Sequence, residues 1–79
     1  MTNIQKFTKA FSNALMITED KIVDSLKYQS IPEWDSVSHM VLVTELEDAF
    51  DISLDTEDVI DMSSVHKAKE ILTRHNIAF

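Results

Sequence analysis

The sequence predicts an all-α fold: a small four-helix bundle of three main helices and one short helix, with a long first connection. Two observations carry that prediction. Apolar residues recur at three- and four-residue spacing in three separate stretches, and no run alternates apolar with polar residues as a half-buried strand would. The length sets the scale. Seventy-nine residues are expected to form one domain, 1–79. A chain this short buries only roughly 60% of its unfolded surface, so its core must be efficient.

The first helical stretch carries Ile4, Phe7, Phe11 and Leu15, with Ala10 and Ala14 on the same side. Thr2, followed three residues later by Gln5, forms a capping-box pattern at its start. The connection over roughly 16–35 carries Ile17, Ile22, Val23, Leu26, Tyr28 and Ile31, more apolar groups than a solvated loop needs. It is expected to pack over the bundle, with some helix near 19–25. Pro32 stops any helix from running through and pushes Ile31 toward an extended conformation. A second helix runs from about Ser36 to Phe50, with Asp35 as N-cap. Asp55 to Ile60 predicts one short capped turn. The last helix runs from about Ser64 to Arg74 through Val65, Ala68, Ile71 and Leu72, with Lys67, Lys69 and Arg74 where cations favour a helix C-terminal half.

Composition excludes several functions. Cysteine is absent, so neither disulfides nor thiolate-bound zinc supports the fold. Glycine is absent too, which removes glycine-rich phosphate loops and dinucleotide fingerprints. The formal net charge is −7, and its distribution matters more than its size. Residues 33–61 hold ten of the fourteen acids and no Lys or Arg, whereas the flanking segments are slightly basic. Such a band repels phosphate backbones and anionic surfaces, so nucleic acid is not an expected partner. No apolar run reaches membrane-spanning length, so no membrane insertion is expected, and no signal-peptide pattern opens the chain. The expectation is a cytoplasmic monomer.

Two Asp-Ser pairs occur, and they are not equivalent. Asp24-Ser25-Leu26 is followed so soon by Pro32 that little helix can form after it. Asp35-Ser36-Val37 opens fifteen residues free of glycine and proline. Ser36 there takes the first helical position, where unpaired backbone N–H groups and the helix dipole favour an anion. A phosphodiester on its oxygen would sit in a favourable field. On the dipeptide alone, a plain capping pair is the simpler reading.

The surrounding residues extend the pattern. Leu42, Val43, Leu46, Glu47 and Phe50 follow in the same helix. Asp51-Ile52-Ser53-Leu54, the acidic turn Asp55 to Asp58 and Ser64-Val65 come next. In this order, from Trp34 to Leu72, the sequence resembles the acyl carrier protein family, with Asp35-Ser36-Val37 standing for the family's Asp-Ser-Leu. The resemblance implies that Ser36 carries 4′-phosphopantetheine, covalently attached from coenzyme A, whose thiol holds acyl groups as thioesters. It implies no catalytic activity of the chain's own, and Asp35 serving both as helix cap and in recognition by a phosphopantetheinyl transferase. Acyl-loading and acyl-accepting enzymes with basic docking patches are the other implied partners. Trp34 and Glu33 depart from the small residues typical of housekeeping fatty-acid carriers, and look more like stand-alone carriers of specialised pathways. An aminoacyl or peptidyl carrier of the same fold remains an alternative.

Helical spacing assigns Leu42, Val43, Leu46, Ala49 and Phe50 to the core and Val37, Met40, Val41, Thr44 and Asp48 to the opposite side, with Glu45 and Glu47 flanking. By the resemblance, this outer side is where partners dock. Apolar contact at Val37, Met40 and Val41 and charge contact at Glu47 and Asp48 are expected there; the alternative is that the first connection covers the stripe as ordinary core. His39 lies on the core side and is expected to be packed, with a backbone or solvent partner. A hydrolytic triad of Asp35, Ser36 and His39 is not expected, because there is no glycine elbow. Asp51, Ser53, Asp55 and Glu57 imitate a calcium loop, but Thr56 stands where glycine is needed and Met62 where the bidentate glutamate belongs, so no metal site is assigned. The competing function is an acidic helical interaction module, an inhibitor or nucleic-acid mimic without a prosthetic group.

Overall fold

The computed structural model describes residues 1–79. Four α-helices form the bundle: α1 (Asn3–Leu15), α2 (Ser36–Phe50), α3 (Thr56–Asp61) and α4 (Val65–Arg74), and no strand is present. The ends are set by local chemistry. Thr2 accepts the Gln5 N–H while the Gln5 side chain accepts the Thr2 N–H, closing the capping box that starts α1. Asp35, Asp55 and Ser64 cap the other three helices through their side-chain oxygens. Helices α1 and α2 end on residues in the left-handed region, Met16 and Asp51, because no glycine is available to take that conformation.

The core is one cluster of fourteen residues. Phe7, Phe11 and Leu15 from α1 meet Leu42 and Leu46 from α2, and Val65, Ile71 and Leu72 from α4 close the bundle. Trp34 is its largest member and has no exposed surface. Its ring stands edge-on to Phe11 at 5.4 Å and to Tyr28 at 6.2 Å.

Expectation and structure differ in three places. Of the first connection's span 19–25, where some helix is expected, only Glu19–Lys21 is helical, as one 3-10 turn. From Ile22 onward its backbone turns away to bond elsewhere: Leu26 O accepts from Val65 N and Asp24 O from His66 N, while Tyr28 N donates to Ser63 O. Hydrogen bonds to the entrance of α4 replace those an extended helix would have made. Ile4, placed on the apolar side by its spacing, is exposed in the first turn of α1. Ala49 is only half-buried, because it borders an open groove between α1 and α2.

Candidate functional site

The end of the first connection delivers Trp34, Asp35 and Ser36 in succession. Trp34 O accepts from Gln29 N, and Trp34 N donates to Ile31 O, so a tight loop fixes the backbone just ahead of α2. One oxygen of Asp35 accepts the N–H groups of Val37 and Ser38, at 3.1 and 2.9 Å. Ser38 Oγ returns the bond by accepting the Asp35 N–H, and donates to Glu33 O at 2.6 Å. These bonds favour the carboxylate, and the one from the Ser38 N–H does most to hold the Asp35 pKa below the ordinary carboxylate value.

Ser36 follows at the first helical position and is exposed. Neither its hydroxyl nor its backbone N–H hydrogen-bonds with the protein. The oxygen therefore points no lone pair at a structural partner, and an anion attached to it would meet a free N–H and the positive end of a fifteen-residue helix. Beside it, Gln29, Ser30, Ile31, Pro32, Trp34 and Asp35 border an open groove of about 350 Å³. An exposed serine oxygen without a protein partner is open to covalent attachment. Ser25 has a different setting. It lies in a turn with no helix after it, and the neighbouring Asp24 is held by Lys69 Nζ at 2.7 Å.

His39 sits one turn beyond Ser36 and is buried. Its Nδ1 accepts from the Trp34 indole at 3.0 Å, and its Nε2 lies 2.9 Å from Val59 O. Both ring nitrogens are thus occupied away from Ser36, which leaves no base for a triad. The backbone partner matches expectation; the Trp34 partner was not anticipated.

Outward from Ser36, Val37, Met40 and Val41 are exposed at 73%, 55% and 45%. The first connection does not cover them; it runs toward the entrance of α4 instead. Thr44 and Asp48 are also exposed. Glu47 differs: it is half-buried and its carboxylate accepts the Leu54 N–H at 2.9 Å, securing the connection to α3. Glu45 and Asp48 border the groove shared with Lys6 and Lys9 of α1. One exposed residue escaped the sequence reading, Ile60 on α3 at 74%. The signal was the Val59-Ile60 pair, since adjacent residues on a short helix cannot both face inward. Among the carboxylates and histidines, no group of three or more is gathered so as to hold a metal ion.

No protein-family model matches the chain. A curated protein does: an acyl carrier protein from Lactobacillus johnsonii is 30% identical over 70 residues, covering 89% of this chain and 88% of its own length. The chain belongs to the acyl carrier protein family. Membership accords with the all-helical bundle and with a helix-opening Asp-Ser pair at the end of a long first connection. No helix is long and apolar enough to cross a membrane.

Proposed function

We propose that this chain is a carrier without catalytic activity of its own, modified on Ser36 by 4′-phosphopantetheine. The observation that carries the proposal is Ser36 itself: exposed, at the first position of α2, with hydroxyl and N–H both free of protein partners. When attached, the group supplies a terminal thiol that holds an acyl group as a thioester. The chain's own residues do the rest. Ser36 offers the attachment oxygen, the start of α2 favours the phosphodiester charge, and Asp35 fixes the helix start while presenting a carboxylate to the transferase. Tethering raises the effective concentration of the cargo at each docked enzyme, and shallow, transient docking lets the carrier leave after each step.

Docking is assigned to the outer side of α2. Val37, Met40, Val41 and Thr44 supply contact area, and Asp48 with Glu47 supplies charge, which speeds encounter with basic partners. Trp34 and Glu33, ahead of the Asp35-Ser36 pair, favour a specialised pathway over housekeeping fatty-acid synthesis. The cytoplasm, where coenzyme A and such enzymes meet, is the proposed location.

The experiment is intact-mass measurement after incubation with coenzyme A and a broad-specificity phosphopantetheinyl transferase. One phosphopantetheine should add to the wild type and to Ser25→Ala, and none to Ser36→Ala. No addition to the wild type would favour the acidic interaction module instead.

A further inference from the structure

Two distant parts of the chain are fastened to one side chain, that of His39. The indole Nε1–H of Trp34 donates to Nδ1 at 3.0 Å, while Nε2 meets Val59 O at 2.9 Å. An indole N–H only donates and a carbonyl only accepts, so the imidazole carries its proton on Nε2 and uses both nitrogens. The ring is confined as well, with the Tyr28 ring centroid at 5.1 Å and the Trp34 centroid at 6.1 Å. Such a ring cannot turn to improve one bond without losing the other.

What it fastens matters at both ends. Trp34 immediately precedes the Asp35 cap and sits two residues before Ser36. Helix α3 contributes no buried side chain, so it depends on bonds more than on packing. Beyond the Val59 contact, Asp58 ties it to His75 at 2.8 Å, with Arg74 more loosely at 4.0 Å. Ile60, adjacent to Val59, is the most exposed large apolar side chain on that helix.

We propose that His39 is a positioning residue that sets the start of α2 and the seat of α3 together, so that Ser36 and the apolar surface of α3 are held in one fixed relation. Its consequence for the transfer reaction rests on the carrier reading above; the mechanical coupling does not.

The test uses the full chain, isotope-labelled, with three variants. His39→Asn keeps an amide oxygen near the position of Nδ1 but cannot reach Val59. His39→Phe keeps a ring and neither bond. Trp34→Phe removes the donor together with part of the ring's volume in the core. In the wild type and His39→Asn, the single indole N–H should give one slowly exchanging resonance, which shifts and exchanges rapidly in His39→Phe. Amides of residues 59–62 should exchange about tenfold faster in all three variants, including Trp34→Phe, while those of α1 stay protected. With the transferase, His39→Phe should lower kcat about tenfold with KM within about twofold, and His39→Asn should recover most of the rate. Folded variants whose 59–62 amides exchange at the wild-type rate would overturn the coupling. Equal kcat in the wild type and His39→Phe would overturn the positioning of Ser36. If the wild type accepts no phosphopantetheine, the carrier reading falls and the exchange measurements still decide the coupling. Should His39→Phe fail to fold, His39→Asn and Trp34→Phe carry the same comparison.

Discussion

At Asp35 a single carboxylate oxygen takes two backbone N–H groups that would otherwise face solvent unpaired. Asparagine can accept the same bonds without the charge, so Asp35→Asn separates geometry from electrostatics. Asp35→Ala should lower the urea midpoint at neutral pH, and Asp35→Asn should lower it less. The folded pKa of Asp35 lies below its ordinary value, so its charge-dependent contribution is complete above that value and disappears as pH falls through the folded one. The gap between the wild type and Asp35→Asn should therefore close in midpoints measured below about pH 4. The cap itself was legible in the sequence, because capping joins residues two and three positions apart. His39 was legible only in part. Its place on the inner side follows from helical spacing, but its bond to Val59 spans twenty positions and depends on how α3 lies. The Trp34 partner is only five residues away, yet it requires a loop whose turn no local pattern specifies.

Among the elements, α3 is the least secured. The hydrogen bond from the His75 imidazole holds the Asp58 pKa below the ordinary carboxylate range. By the same sign argument, that contribution is present above the ordinary value and lost as pH falls through the folded one. Asp58→Asn should accelerate amide exchange in 58–62 at neutral pH while leaving α1 and α2 protected, and no selective acceleration would refute the role given to the pair. Helix α2 makes a different prediction. Val41 is half-exposed, so Val41→Glu should change stability by less than about 0.5 kcal/mol and alter the affinity for an acyl-loading enzyme. Lost stability with unchanged affinity would return the stripe to a structural role. At the end of α1, Met16 is exposed and left-handed, at φ 57°. Met16→Gly should raise stability by about 0.5–1 kcal/mol in chemical denaturation, by relieving the steric cost of that conformation. The four helices were legible because each begins on a capping side chain, and α1, α2 and α4 each bury an apolar face. The path of the first connection was not, since its backbone bonds go to Ser63, Val65 and His66, far along the chain.

For the whole molecule, the acidic band and the single core act separately. Ten acids between 33 and 61 lie beside no Lys or Arg in sequence, and most of them are exposed. Association with a basic partner should weaken steeply with added salt, mainly through a slower on-rate. A salt-independent rate would show that the band takes no part in encounter. The core has less reserve. Trp34→Ala should cost about 3–5 kcal/mol, a large share of the 5–15 kcal/mol typical of a small domain, and calorimetry should find the melting temperature lowered by more than about 10 °C. Trp34 has one more consequence. It is the chain's single tryptophan, fully enclosed and two residues from Ser36. Its ultraviolet emission is therefore an optical signal arising wholly from the neighbourhood of that serine. The proposed attachment at Ser36 should shift that emission with no dye added, and Ser36→Ala should abolish the shift.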